Sequence, residues 1–167
     1  MTRVSTALCV FFCALFSLSG CARDGRQGLK TDFSADFTAQ YGEMELSGRL
    51  TYTGEKSLKL ELSSPETLEG LTVGYRGGEL SLGKNGLLCT ADEAYLPAGS
   101  FPSMLKTALG SVVSAAENGQ LTFDGQEAQT DTPFGSCELT VDSEGIPVTL
   151  SLSGRDFSVE LSNRSAL

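Results

Sequence analysis

Apolar and polar residues alternate over several segments of the chain, which is the pattern of β-strands with one buried face. In segment 43–53 the apolar residues on one face are Met44, Leu46, Leu50 and Tyr52. The same period of two recurs further along, in the groups Leu58, Leu60 and Leu62; Leu71, Val73 and Tyr75; Leu80 and Leu82; Val148, Leu150 and Leu152; and Phe157, Val159 and Leu161. Short turns that contain glycine connect these groups, so neighbours in sequence are predicted to pair antiparallel.

Between Ser100 and Gly119 the period changes from that of a strand to that of a helix. Apolar residues there follow the i, i+4, i+7, i+8 and i+11 positions of one stripe, namely Leu105, Leu109, Val112, Val113 and Ala116. Ser100 or Ser103 is a candidate N-cap, and Asn118-Gly119 is a typical helix end. The sequence therefore predicts one amphipathic helix near residues 102–118, among strands.

The segment Asp32–Tyr41 has two interpretations. Phe33, Phe37 and Tyr41 are spaced by four residues, which fits a short helix as well as a strand. With either interpretation, a sheet that is apolar on one face must cover that face. The predicted fold is therefore mainly β (α+β): a strongly curved antiparallel sheet or half-barrel, covered by one amphipathic helix, in a single domain over residues 32–167.

Residues 1–20 have the organisation of a secretory signal, with a short basic start, an apolar run and small residues before Cys21. The apolar run is shorter than a membrane-spanning helix requires. The quartet Leu18-Ser19-Gly20-Cys21 resembles a bacterial lipobox, in which the cysteine receives a diacylglyceryl group and becomes the first residue after cleavage. An ordinary signal peptide that contains a cysteine is the alternative.

The lipobox interpretation makes Cys21 the site of lipid attachment, with acyl chains such as palmitate. Two acyl chains anchor a protein stably, whereas one chain gives marginal binding. Residues 21–31 contain glycine and mixed charge, so they are predicted to form a flexible tether. We therefore expect a protein that is lipid-anchored to the cell membrane on its extracytoplasmic face.

Charge and composition exclude several functions. The chain has 12 Lys and Arg residues against 21 Asp and Glu residues, a formal net charge of −9, and no histidine. Such a charge repels nucleic acid, and the lack of histidine removes the commonest general base and metal ligand. Ser103 and Lys106 match a serine hydrolase spacing only literally, and Asp142-Ser143-Glu144-Gly145 lacks the ligands of a calcium loop, so it is predicted to be a turn. We expect no enzyme, no cofactor and no metal site.

After removal of the signal, Cys89 and Cys137 remain besides Cys21. Cys89 shares the parity of Leu87, and Cys137 shares that of Leu139, so both thiols are predicted to point to the apolar side of the sheet. Two cysteines in an exported domain either form a disulfide or pack as two buried free thiols. Both alternatives stay open.

Two stretches resemble lipoprotein-carrier-like (LolA-type) domains of bacterial envelopes and related acyl-lipid-binding lipoproteins: residues 58–73, and the turn 142–147 that leads into the last two strands. The resemblance covers roughly Phe33 to Asn163. It implies an open, curved half-barrel whose concave side accommodates lipid chains under a helical lid. The chain departs from the carriers in having one predicted helix and an anchor, which implies a receptor, a lipid-handling lipoprotein or an assembly subunit.

These observations lead to two hypotheses. In the first, the protein binds a hydrophobic ligand such as a lipid acyl chain, without catalysis. In the second, the core is filled and the protein is a structural or sensor lipoprotein that docks an envelope protein partner. For the first hypothesis the predicted wall of the site consists of Met44, Leu46, Leu50, Tyr52, Leu58, Leu60, Leu62, Leu71, Val73 and Tyr75, with Phe101, Leu105 and Leu109 on the helical lid.

Overall fold

A computed structural model describes residues 28–54 and 56–167. Within them one antiparallel sheet of 11 strands is crossed by one α-helix. The strands are β1 (Asp32–Tyr41), β2 (Met44–Thr53), β3 (Ser57–Ser64), β4 (Thr72–Arg76), β5 (Glu79–Lys84), β6 (Leu87–Asp92), β7 (Phe123–Asp124), β8 (Glu127–Thr132), β9 (Gly135–Val141), β10 (Pro147–Leu152) and β11 (Phe157–Ala166). The helix α1 is Phe101–Glu117, and 3-10 turns lie at Glu66–Leu68 and Glu93–Tyr95.

The order of strands across the sheet is β6-β5-β4-β3-β2-β1-β11-β10-β9-β8-β7. The chain therefore runs outward from β1 to β6 as a meander, crosses the sheet through α1, and returns from β7 to β11. Strand β11 then pairs antiparallel with β1, so the first and last strands form the middle of the sheet. The sheet is curved and unclosed, which confirms the predicted half-barrel covered by one helix.

Segment Asp32–Tyr41 is a strand, which decides between its two interpretations. Ala35 and Ala39 lie between its aromatic residues, and both alanines are buried. These small residues complete a period of two that the spacing of the large residues alone conceals. Pairing with β2 on one side and with β11 on the other then fixes the strand in the centre of the sheet.

Helix α1 begins and ends within one residue of its predicted limits. Ser100 is the N-cap residue, but its side chain makes no capping bond to the helix backbone. Its hydroxyl instead donates to Ser103 Oγ at 3.0 Å. The apolar stripe faces the concave side of the sheet, where it forms one core with the strands through Phe101, Met104, Leu105, Ala108, Leu109, Val112 and Val113.

The described residues that precede β1 are bound to the rest of the domain. The backbone nitrogen of Lys30 donates to the carbonyl oxygen of Gly145 at 2.8 Å, and Leu29 packs against the core. The last residues of the predicted tether are thus held in place. The predicted signal, the lipobox and Cys21 lie outside the described residues, and no helix in the described part of the chain is long and apolar enough to span a membrane.

Candidate functional site

Antiparallel pairing divides the turns between two ends of the half-barrel. At one end, which we call the chain-entry end, the segment before β1 meets the β2–β3 hairpin and the β9–β10 turn. There Gly54 N donates to Thr31 O at 2.8 Å, beside the Lys30–Gly145 bond. The β1–β2 and β10–β11 hairpins lie at the opposite end, the far end, where Gly42 N donates to Asp156 O at 2.7 Å.

Aromatic rings fill the space between α1 and the sheet at the far end, and a more open groove of about 510 Å³ lies beside them, between the two hairpins and the start of the helix. Phe101, the first residue of α1, lies with its ring centroid 5.8 Å from that of Phe37, 6.1 Å from that of Tyr41 and 5.7 Å from that of Phe157. The Tyr41 hydroxyl donates to the carbonyl oxygen of Gly99, just before the helix. Rings from β1, β11 and α1 thus fix the start of the helix against the sheet, because such aromatic contacts add to the free energy of burial.

The predicted wall residues fall into three groups. Met44 is 47% exposed, because it begins β2 beside the far-end hairpin and beyond the cover of α1. Leu71 lies just before β4 and is partly buried against the core. The others are buried, and they form one core with α1: Leu46, Leu50, Tyr52, Leu58, Leu60, Leu62, Val73, Tyr75, Phe101, Leu105 and Leu109.

The core between the middle of the sheet and α1 is therefore filled by side chains. Apart from the open groove at the far end, space remains at the chain-entry end, where a cavity of about 340 Å³ lies between the helix and strands β2 to β4. Three predicted wall residues line it, namely Tyr52, Leu58 and Tyr75. Thr107 and Gly110 form its helical side. The volume is at the small end of the range of about 300 to 1,000 Å³ for ligand pockets.

Charged side chains form the rim of this cavity: Lys56, Arg76, Glu93 and Lys106. Lys106 Nζ donates to Glu93 Oε2 at 2.5 Å and also lies 5.1 Å from the centroid of the Tyr75 ring. The Tyr75 hydroxyl is hydrogen-bonded to Ser103 Oγ at 3.0 Å. Lys106 thus joins the helix to the sheet across the cavity.

Burial, together with the charge of Glu93, raises the pKa of Tyr75 above its ordinary value, although the bond to Ser103 opposes the shift. The phenol is therefore neutral at physiological pH, and it presents an apolar ring with a polar tip. A ring of this kind suits the boundary between an apolar floor and a wet rim. The arrangement provides a place for a molecule that has both an apolar and a polar part.

Lys56 and Arg76 are both exposed at the mouth of the cavity. Among the described residues, neither has a carboxylate within ion-pair distance. Lys56 follows the tip of the β2–β3 hairpin, and Arg76 ends β4 opposite Ser57 in the register of β3 and β4. The two cations therefore lie at neighbouring hairpins of the sheet, although 20 positions separate them in sequence.

The two cysteines are free, so the disulfide that the sequence left open is not formed. Cys137 is buried as predicted, and burial together with the charge of Glu138 raises the pKa of its thiol to about 12. Cys89 is exposed, and the prediction that it is buried is wrong. It pairs with Leu82 and lies on the edge strand β6, of which five of the six residues are exposed among the described part of the chain.

Segment 142–145 is a turn, as predicted. Asp142 Oδ1 accepts from the backbone nitrogens of Glu144 and Ile146 at 2.9 and 3.0 Å, and Oδ2 accepts from Arg164 Nε at 3.3 Å. Burial alone would raise the pKa of Asp142, but these backbone bonds and Arg164 lower it. The carboxylate is thus used to hold the turn. No group of three or more metal-ligating side chains occurs in the part of the chain that the structure describes.

Comparisons with known proteins find similarity in structure only. An uncharacterized conserved protein from Thermus thermophilus superposes with a TM-score of 0.52 at 14% sequence identity, over 84% of this chain and 82% of that chain. This likeness shows a shared fold. A LolA superfamily protein from Nitrosomonas europaea gives a TM-score of 0.42 at 10% identity, over 83% of this chain and 87% of that chain. No protein-family model and no curated protein matches the sequence.

Sequence reasoning did not find the polar half of the cavity. Lys56, Arg76 and Lys106 lie on three elements, and each is an ordinary surface cation in its own segment. Gly110 interrupts an otherwise good helix, which is the one local signal that could have marked this side of α1. Alternation had placed Tyr52, Leu58 and Tyr75 on the apolar face of the sheet, and these residues form the floor of the cavity.

Proposed function

We propose that the protein is a membrane-anchored extracytoplasmic lipoprotein that binds a hydrophobic ligand, such as a lipid acyl chain, without catalysing a reaction. The observation that carries this proposal is the cavity at the chain-entry end, with an apolar floor made by Tyr52, Leu58 and Tyr75. The resemblance of residues 58–73 and 142–147 to lipoprotein-carrier domains is in agreement with it.

Because α1 fills the middle of the half-barrel, the ligand enters at the cavity rather than along the whole concave face. A cavity of about 340 Å³ holds one end of a chain, and deeper entry requires the helix to move away from the sheet. The rings around Phe101 hold the first turn of α1 against the sheet. We therefore expect any movement of the helix to occur in the half that follows Lys106. The floor residues are thus the first contacts of the ligand.

Occupancy of the cavity can be tested by extracting the protein gently from cells and identifying bound lipid by mass spectrometry. Thr107→Trp places a large ring in the cavity, and Ser114→Trp places the same ring elsewhere on α1, outside the cavity lining. We expect lipid on the unchanged protein and on Ser114→Trp, and a loss of most lipid on Thr107→Trp. Circular dichroism confirms that both variants fold. An absence of lipid from all three proteins would contradict the proposal.

Anchoring is tested separately, at Cys21. Cells that express the unchanged chain and Cys21→Ser are fed labelled palmitate, and the membrane fraction is collected. We expect the unchanged chain to carry the label and to associate with the membrane, and the variant to do neither, because the Cys21 sulfur is the atom that receives the lipid. Cys89→Ser is the matched control and retains both. Label on Cys21→Ser would show that the lipid is attached elsewhere, and an unlabelled unchanged chain would show that the anchor is absent.

The second candidate function is docking of a protein partner, and the observation that favours it is the edge strand β6. Leu87 and Leu88 on this strand are 79% and 73% exposed, and Cys89 beside them is exposed as well. An edge strand offers unpaired backbone groups to another strand, and exposed apolar residues mark interaction surfaces. A filled core is compatible with this function.

The edge can be tested through the thiol of Cys89, which is accessible whereas Cys137 is buried. A photo-crosslinker attached at Cys89 in intact cells is expected to give one adduct of constant mass if a partner pairs with β6. Leu87→Lys should remove that adduct, because a charge opposes burial of the edge. A crosslinker at an introduced cysteine, in the double variant Ser63→Cys, Cys89→Ser, is the control. An adduct that forms equally from both positions would reject a specific edge partner.

A further inference from the structure

We propose that the cavity at the chain-entry end selects an amphiphile with an anionic headgroup. Its acyl part lies on Tyr52, Leu58 and Tyr75, and its negative group lies at the mouth between Lys56 and Arg76. This inference rests on the proposed function, since it specifies the class of hydrophobic ligand that the same cavity takes.

The first argument is the sign of the rim charge. The chain is strongly acidic, with a formal net charge of −9, yet the cavity rim carries three cations and one carboxylate. That carboxylate, Glu93, is paired with Lys106 at 2.5 Å. Lys56 and Arg76 are therefore the rim cations that no described carboxylate pairs with at ion-pair distance, although Glu79 lies opposite Arg76 in the register of β4 and β5. A local field opposite in sign to the whole protein attracts an anion to this point of the surface.

The second argument is the position of the cations. Lys56 and Arg76 extend from neighbouring hairpins on the sheet side, and Lys106 extends from the helix side. The anion site thus lies directly above an apolar floor. Arg76 leads into Gly77 and Gly78, which have φ of +59° and +83°, and a Cβ at either position would meet nothing within 4 Å. The turn leaves room for a headgroup beside the guanidinium, which can bind an anionic group with two hydrogen bonds.

The third argument is the direction of the membrane. The segment that leads into β1 lies at the same end as the cavity mouth, where the backbone nitrogen of Lys30 donates to the carbonyl oxygen of Gly145. Residues 21–27 separate the predicted lipid attachment from this point, and seven residues span at most about 25 Å. An anchored molecule therefore keeps its chain-entry end close to the bilayer surface. Anionic lipids concentrate negative charge at such a surface and attract basic side chains.

Binding of two single-chain lipids tests the inference. Lysophosphatidylglycerol and lysophosphatidylcholine of the same acyl length are titrated below their micelle concentrations into protein purified from expression of the full chain, by isothermal titration calorimetry. We expect the anionic lipid to bind about tenfold more tightly, because two or three partly exposed charge interactions supply a binding free energy of that size. The preference should weaken in high salt, because salt screens exposed charges. Free glycerol phosphate is the third probe and is expected to bind at least about tenfold more weakly, because it lacks the acyl chain.

The double variant Lys56→Gln, Arg76→Gln should bind the two lipids equally, with affinity for lysophosphatidylcholine unchanged. The matched control Lys59→Gln, Lys84→Gln removes the same charge from the outer face of β3 and from the far end, and should keep the preference. Equal affinity of the unchanged protein for both lipids would overturn the headgroup inference and leave the proposed function intact. Binding of neither lipid would overturn the proposed function itself. Glycerol phosphate that binds as tightly as the anionic lipid would overturn the inference by identifying an anion site without a role for the chain.

Discussion

The two ends of the half-barrel are made from the same kinds of elements and differ in what their side chains do. At the far end, Phe101 of α1 contacts rings from β1 and β11, and the helix is sealed against the sheet. At the chain-entry end, the corresponding space between helix and sheet is a cavity with an apolar floor and a cationic rim. At one end rings pack the helix onto the sheet, beside an open groove, whereas at the other end a cavity with a rim of lysine and arginine lies between helix and sheet.

The difference shows how a filled core and a ligand site can coexist beneath one helix. The closed end supplies the stability that orders α1, because large buried rings contribute the most per residue. The polar bridge of the open end, the Lys106–Glu93 pair, is partly exposed and so contributes little to stability. We expect substitutions at the far end to change stability and substitutions at the chain-entry end to change binding.

The largest expected effect is that of Phe101→Ala, which removes the ring on which the far end closes. Loss of a buried phenylalanine costs about 4 kcal/mol of unfolding free energy, through lost burial and the cavity it leaves. Urea denaturation followed by circular dichroism measures the change. Phe123→Ala, in the short and partly buried edge strand β7, is the control and should cost less than half as much. Equal losses would show that the aromatic closure has no special role.

Gly145→Ala is expected to be the next most severe change, and it acts at the chain-entry end. Gly145 has φ of +83°, and a Cβ there would lie 2.3 Å from the carbonyl oxygen of Gly28. We expect a loss of about 3 kcal/mol, from left-handed strain and from displacement of the segment that leads to β1. Gly154→Ala has a similar φ of +77° with open space around the Cβ, so it should lose about 1 kcal/mol from strain alone. Equal effects on thermal unfolding would show that the contact with Gly28 is unimportant.

Gly110→Ala should stabilise the protein. A gain in stability is expected if this side of the helix lines a cavity, and a loss is expected if it packs closely against another element. A Cβ at Gly110 meets nothing within 4 Å, and alanine is favoured over glycine inside a helix by about 1 kcal/mol. The melting temperature should therefore rise, with lipid content retained, because a methyl group narrows the cavity only slightly. In β2, Gly48→Ala is the opposite case, since its Cβ would lie 2.1 Å from the Glu61 carbonyl oxygen. A fall in stability with Gly110→Ala would mean that the helix packs closely there.

The smallest expected effect is that of Asp142→Asn in the turn at the chain-entry end. The folded-state pKa of Asp142 is lowered relative to its unfolded value, which is about 3.9 for aspartate. The contribution of the Asp142 carboxylate to the free energy of unfolding is therefore fully present above about pH 4, and it is lost as the pH falls through the folded-state pKa. The variant should be less stable at neutral pH by about 1 kcal/mol or less, and the difference should shrink below about pH 4. Asp131→Asn, at an exposed position in β8, is the control for removal of a charge; a difference for Asp142→Asn that is independent of pH would contradict this account.

Local pattern predicted the elements whose side chains have one buried face. Strands β2 and β3 alternate almost throughout, and α1 has an apolar stripe, so all three were placed within one or two residues. Strand β8 was not predicted, because its sequence is mostly polar and its stability comes from backbone pairing with β9. The exposure of Cys89 was also missed, since parity indicates the face of a strand and not whether another element covers it.

The sequence by itself determined that the chain forms one-sided strands and one amphipathic helix, because the periods of two and 3.6 follow from backbone geometry within each segment. It also determined the acidic charge and the lack of histidine. Only the tertiary structure decided that α1 fills the middle of the half-barrel, and that Lys56, Arg76 and Lys106 meet around the space that remains. These three cations lie on separate elements, and their proximity depends on strand register and on where the aromatic closure places the helix.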